Sequence, residues 1–235
     1  MATQPTSSSS EGYIALQGVT KVYQRPDGPV HALRNVSLTI SRGELVGLQG
    51  PSGSGKSTLL NLLGGLDRPT EGRVVVDASD ISKLSSDALA LYRREKVGFV
   101  FQDARLLPAL TVYENVMLPL VPIAMPETAK RERVEQALEQ CNIGHRASHL
   151  PGELSGGEQQ RASVARAIVN DPALVLADEP TGELDPENAE LILQLLRSFA
   201  EQGRTVVVAS HNAPILASLP RRLKLRDGEI EEDGE

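Results

Sequence analysis

Gly50-Pro51-Ser52-Gly53-Ser54-Gly55-Lys56-Ser57-Thr58, GPSGSGKST, is the stretch whose reading decides the fold. An apolar run, Leu45 to Leu48, precedes it and predicts a buried strand. Leu59, Leu60, Leu62 and Leu63 follow at helical spacing. Strand, glycine-rich turn and helix form the context of a phosphate-binding loop. Gly50, Gly53 and Gly55 carry no Cβ, so the backbone can turn sharply and aim its N–H groups at an anion. The helix N-terminus adds partial positive charge at the same place. In this pattern Lys56 reaches the β- and γ-phosphates of a nucleotide, the Ser57 hydroxyl ligates Mg²⁺, and Thr58 adds a hydroxyl contact to phosphate. A Gly/Ser loop that merely caps a helix is the alternative. Residue order and both flanks fit the phosphate loop instead.

Composition sets wide bounds. The chain has 235 residues, 40% of them hydrophobic and 3% aromatic, so aliphatic side chains must fill the core. Lys and Arg number 24 against 31 Asp and Glu, a net charge of −7. No nucleic-acid partner is expected, because broad nucleic-acid binding needs a basic face. Cys141 is the sole cysteine, so no intrachain disulfide forms. It reads as a helix-end residue, and a reducing compartment fits. No apolar run approaches the roughly 18–20 residues that cross a bilayer. Residues 1–12 read as a Ser-rich, disordered lead-in without the basic and apolar regions of a signal peptide. Any membrane role therefore comes through a partner.

Tyr13 to Tyr23 and Val30 to Ile40, separated by the turn-forming QRPDGP, predict an antiparallel pair. Tyr23 either packs within its strand or stacks on an adenine ring. GRVVVD (72–77) predicts a strand, and 85–94 a helix capped by Ser85 or Ser86. A short strand, 97–101, ends at Gln102. LLPALTVYENV (106–116) is apolar but broken by Pro108, and Pro119, Pro122 and Pro126 interrupt the next stretch. The charged segment 127–141 places Val134, Leu138 and Cys141 at helical spacing, as a solvated amphipathic helix does.

LSGGEQ (154–159) precedes a helix reaching about Asn170. Ser155, Gly156 and Gly157 make either an ordinary cap or a second anion site at a helix start. LVLA (174–177) is continuous and apolar, as in a central parallel strand, and ends in Asp178 and Glu179. Carboxylates at such a strand end lie where open α/β sheets bind ligands. Asp178 can hold Mg²⁺, and Glu179 can orient or deprotonate an attacking water. The segment 187–201 predicts a helix with Leu191, Leu195 and Phe199 on one side and Gly203 as its stop. A strand at 205–209 ends at Ser210-His211, where the imidazole is either structural or placed to hydrogen-bond a γ-phosphate. RRLKLRDGEI predicts a closing hairpin about Asp227-Gly228, and 231–235 an acidic, frayed tail.

Together these elements resemble the ATP-binding subunit of ATP-binding-cassette (ABC) transporters, over about residues 13–230. GPSGSGKST is similar to the Walker A motif, Gln102 to the Q-loop glutamine, LSGGEQ to the signature motif and LVLADE to the Walker B strand. Gly182 to Asp185 resembles the D-loop, His211 the switch histidine and Tyr23 the adenine-stacking aromatic. LLNLLGGLDRPTEG, VGFVFQ, LLPALTVYENVMLPL and LVLADEPTGELD resemble the MacB/LolD/FtsE group most. Glu183 departs from the Asn common there, and Asn212 from the usual Asp.

The resemblance implies an α/β P-loop NTPase fold with a mixed, mostly parallel core sheet, an antiparallel β subdomain, and a helical subdomain at about 103–160. It implies ATP and Mg²⁺ as cofactors, with Ser57, Gln102 and Asp178 at the metal. Lys56, Gln102, Glu179 and His211 form the implied catalytic set. Tyr23, Gly50 to Thr58, Gln102, Ser155, Gly156, Gly157, Glu158 and Asp185 contact nucleotide. It further implies a head-to-tail homodimer with ATP between the Walker A loop of one copy and the signature of the other. A membrane permease docks after Gln102, through residues such as Leu106, Leu107 and Leu110, at the cytoplasmic face of the inner membrane. The function implied is export, or extraction of lipoproteins, peptides or drugs. Two other readings remain: an FtsE-like regulatory ATPase that transports nothing, and a DNA-repair or translation ATPase. The last usually carries a coiled-coil insertion or a second cassette.

Overall fold

The computed structural model describes residues 12–212 and 216–234. Most of the lead-in lies outside those residues. Strands β1 (Ile14–Arg25) and β2 (Gly28–Ile40) pair antiparallel, and β1 also pairs antiparallel with β4 (Glu71–Val76). The two-residue strand β5 (Ser79–Asp80) completes a four-stranded sheet in the order β2-β1-β4-β5. This is the antiparallel unit expected from the sequence.

The second sheet is the scaffold of the site. Its order is β10-β9-β3-β8-β7-β6, with β6 (Val97–Val100), β7 (Leu174–Asp178), β8 (Thr205–Ser210) and β3 (Leu45–Gln49) all parallel. β9 (Arg221–Arg226) runs parallel to β3, and β10 (Glu229–Gly234) returns antiparallel about Asp227-Gly228. Thr205 to Ser210 is buried at every position, as a strand covered on both faces must be. The carboxyl ends of β3, β6, β7 and β8 therefore share one edge, where open α/β sheets bind ligands.

Helices cover this sheet. α1 (Lys56–Leu63) buries Leu59, Leu60, Leu62 and Leu63 in a core shared with the antiparallel sheet. α2 (Ser86–Lys96), capped by the Ser85 hydroxyl, packs there through Leu89 and Tyr92. The opposite core joins α3 (Val112–Met117), α4 (Glu127–Gln140), α5 (Gly156–Ile168) and α6 (Pro186–Glu201). α4 buries Val134, Ala137 and Leu138, and Cys141 at its end is fully buried, its thiol pushed up to about 12 by desolvation. Thr111 and Glu114 form a capping box that starts α3 right after the Pro108 break.

Two expectations need correction. In α6 the buried face is Ala189, Ile192, Leu193, Leu196 and Phe199, whereas Leu191 is 40% exposed. The helix is apolar enough to offer two stripes, and the sheet selects the one containing Ile192. The acidic segment 231–235 does not fray as far as it is described: β10 continues to Gly234. Arg221 pairs with Asp233 at 2.6 Å and with Glu44 at 2.8 Å, and Lys224 with Glu232 at 2.8 Å. The register of α6 predicts that Ile192→Ala lowers unfolding free energy by about 2–5 kcal/mol. Leu191→Ala should cost no more than about 0.5 kcal/mol. Urea denaturation of both variants checks it.

Candidate functional site

The loop between β3 and α1 folds as its glycines dictate. Gly55 is the N-cap of α1 at φ 108, and a Cβ there would meet the Ala32 carbonyl oxygen at 2.5 Å. Lys56, the first helical residue, is 7% exposed. Its ammonium donates to the carbonyls of Gly50 at 2.8 Å and Pro51 at 3.2 Å, curling back under the loop. Gly50 thus anchors the lysine from below, while Pro51, Ser52, Gly53, Ser54, Gly55, Lys56, Ser57 and Thr58 line a cleft of about 800 Å³.

Tyr23, Gln102, Glu179 and His211 line the same cleft, although they come from four separate segments. The Tyr23 hydroxyl donates to Asp67 at 2.8 Å, and the Lys21 ammonium lies 4.8 Å from its ring centroid. The ring is thereby fixed at the cleft wall. Burial, then the Asp67 contact, raise the pKa of its hydroxyl. Glu179 has left-handed backbone, φ 48, held by its N–H bond to the Ala209 carbonyl at 2.8 Å. A non-glycine residue in that region costs free energy, and such residues cluster at functional sites. Its carboxylate is 15% exposed. It lies 3.0 Å from His211 Nδ1 and 4.0 Å from the Lys56 ammonium, and accepts the His211 N–H at 3.2 Å.

Asp178 ends β7 beside this group. Burial raises the pKa of its carboxyl, opposed mainly by a hydrogen bond with Ser57, and its Oδ1 is buried without a partner. A buried carboxylate oxygen next to a hydroxyl suits a small hard cation, and the amide of Gln102 carries a third oxygen donor. The residues present therefore fit Mg²⁺. The Gln102 amide also donates to Glu183 at 3.3 Å, so the departure at 183 meets the Q-loop directly. At the other departure, the Asn212 N–H donates to the Ser210 hydroxyl at 3.0 Å.

Ser155, Gly156, Gly157, Glu158 and Asp185 do not line the cleft. Ser155 caps α5, and Asp185 caps α6 by accepting the N–H groups of Glu187 and Asn188. Asn188 joins the two helix starts, donating to Asp185 at 2.6 Å and accepting from Arg161 at 3.0 Å. A Cβ on Gly157 would run into that Asn188 amide, so bareness at 157 serves packing inside the chain. Among the described residues Gly156 is exposed and meets only Leu184, at 3.8 Å, so none of them requires it to be bare.

Sequence reasoning missed Arg25, Val30 and His31, which also line the cleft. The hairpin carries the signal, since its register sets Tyr23 opposite Val30. It also missed Gln160, a buried amide that donates to the carbonyls of Phe101 at 2.8 Å and Pro180 at 2.9 Å. That single side chain ties α5 to the ends of β6 and β7.

A family model described as ABC transporter matches residues 33–182. The chain belongs to the ABC transporter family. It is an ATPase and carries the ATP-binding domain of that family. It is 46% identical over 218 residues to an uncharacterized ABC transporter ATP-binding protein of Thermotoga maritima, covering 93% of each chain. It is 46% identical over 220 residues to the macrolide export ATP-binding/permease protein MacB of Hyphomonas neptunium. That match covers 94% of this chain but 34% of MacB, so the chain spans about a third of that relative's length. Among solved structures it matches a dimer of the cassette MJ0796 in a post-hydrolysis state bound to ADP and Pi. The TM-score is 0.87 at 44% identity, over 94% of this chain and 98% of that one. The relative MJ0796 comes from Methanocaldococcus jannaschii. The fold expected from the sequence is the one these cassettes share. No described helix is long and apolar enough to cross a membrane.

Proposed function

We propose that this chain is the ATP-hydrolysing subunit of a membrane exporter or extractor of the MacB and LolD kind, working as an ATP-dependent homodimer. The observation that carries the reading is the division of the site. The Walker A cleft and the Ser155-Gly156-Gly157 helix start are both built for anions, and one chain does not join them in one cleft. Two copies related by a two-fold axis would join them twice. The dimeric MJ0796 cassette and the likeness to MacB support the assembly and the transport role. A regulatory ATPase would share the site, but the MacB likeness favours transport.

Tyr23 stacks the adenine. The loop N–H groups and the α1 N-terminus cradle the phosphates, and Lys56 exchanges its carbonyl partners for phosphate oxygens. Ser57, Asp178 and Gln102 would hold Mg²⁺, which when bound would supply positive charge to offset the charge of the phosphates. Glu179 orients and deprotonates the attacking water. His211 presents Nδ1 to that carboxylate and faces the γ-phosphate, and Gln102 senses the same phosphate. Ser155, Gly156 and Gly157 of the second copy complete the γ-phosphate site, with Glu158 and Asp185 shaping the two helix starts beside it. Hydrolysis removes the group both copies hold and loosens the joint.

The chain sits at the cytoplasmic face of the inner membrane through a permease. Of the three leucines expected to meet it, Leu107 is 48% exposed, while Leu106 packs against the helical core. A groove of about 810 Å³ lined by Leu91, Phe99, Phe101, Pro119 and Pro122, with Arg94 at its side, offers the larger apolar seat for a short helix of the permease.

Lys56→Ala and Glu179→Gln should each lower ATP turnover by at least about 10²-fold in a steady-state phosphate-release assay. Hydrolysis near the wild-type rate in either would overturn the assignment. Leu91→Asp should abolish copurification with the permease while leaving nucleotide binding by the isolated chain intact. Unchanged copurification would move the docking seat elsewhere.

A further inference from the structure

Glu158 poses an electrostatic problem. It stands in the first turn of α5, at the anion-facing start proposed above, where a free carboxylate would oppose a triphosphate. Its Oε2 accepts from the Ser155 N–H at 2.8 Å and from the Ser155 hydroxyl at 2.9 Å. Its Oε1 accepts from Arg146 Nε at 2.7 Å. Both carboxylate oxygens are therefore engaged inside the chain, and the charge is matched by a guanidinium 12 residues upstream. These bonds, the Ser155 backbone first, hold the Glu158 carboxyl at a pKa of about 2.

Arg146 is itself held. It ends the 3-10 turn Gly144–Arg146, and its carbonyl accepts the His149 N–H at 2.9 Å. His149 Nε2 lies 3.2 Å from Arg146 Nη1; a guanidinium only donates, so the ring nitrogen accepts. The carbonyls of Ala147 and His149 take the N–H groups of Tyr113 and Val112, both at 2.9 Å, which anchors the segment to α3. His145 Nε2 is the other cationic-capable group near Glu158 Oε1, at 3.9 Å.

We propose that Arg146 is a positioning residue for the Ser155–Glu158 turn, its guanidinium holding and neutralising Glu158 so that the turn can receive the γ-phosphate of ATP bound to a second copy. This rests on the two-copy site proposed above. It gives Glu158 a shaping role and leaves the exposed Gly156 to face the nucleotide. Arg146 does not line the nucleotide cleft of its own chain. Its effect falls on the dimer step, after each chain has filled its own cleft.

The test uses the full chain with Glu179→Gln, so that ATP persists, and reads dimer formation against ATP concentration by sedimentation. Adding Arg146→Ala should raise the ATP needed for half-maximal dimer about tenfold, as for loss of one charge-assisted hydrogen bond. Binding of a fluorescent ATP analogue to the monomer should stay the same. Adding Glu158→Gln to Arg146→Ala removes the stranded charge and keeps a capping amide. It should restore much of the dimer, and Arg146→Lys should restore it in part. An unshifted dimer curve for Arg146→Ala would overturn the proposal. So would a loss that tracks a fall in Tm and is not relieved by Glu158→Gln, since that describes packing alone. If the Glu179→Gln parent forms no dimer with ATP, the two-copy reading fails first and this inference falls with it.

Discussion

A helix N-terminus can grip an anion from one side only, and this constraint organises the molecule. In the proposed reading, the loop Gly50–Thr58 would turn its N–H groups and the Lys56 ammonium to a single face of a triphosphate. The sheet order follows from serving that face. With β3 flanked by β8 and β9, and β7 flanked by β8 and β6, the ends carrying Ser57, Asp178, Glu179, His211 and Gln102 converge on one edge. Parallel strands buried on both faces hold that edge rigid, so chemistry delivered by four segments keeps one geometry.

Within the cleft the charged groups satisfy one another. Lys56 lies under the carbonyls of Gly50 and Pro51 and within 4.0 Å of Glu179, and His211 meets the same carboxylate. Buried charges need such partners. Phosphate would take over the ammonium and leave Glu179 to His211 and water. The starts of α5 and α6 are likewise satisfied internally through Ser155, Glu158, Asp185 and Asn188. Gly156 alone there is bare without an internal reason.

Much of this was legible in the sequence, for physical reasons. GPSGSGKST and LVLADE announce themselves because glycines, a lysine and strand-end carboxylates have few other uses in that order. Apolar periodicity placed nearly every strand and helix. It failed at α6, where two leucine-containing stripes compete and only the sheet beneath decides between Leu191 and Ile192. It also failed at 231–235, where acidity looked like fraying but Arg221 and Lys224 across the hairpin neutralise it. Gln160 was out of reach because its role is set by contacts between distant segments, whereas the hairpin register carried the signal for Arg25 and His31. Glu158 shows the limit most clearly: its motif position suggested a nucleotide contact, while its two oxygens are already engaged within the chain.

The most direct test of the divided site mixes two inactive chains, one carrying Lys56→Ala and the other Gly156→Asp. If ATP lies between the loop of one copy and the helix start of the other, a mixed dimer contains one fully intact site, and ATP turnover should reappear on mixing. If each chain were complete by itself, the mixture would show only the sum of two dead enzymes, and the account would be contradicted.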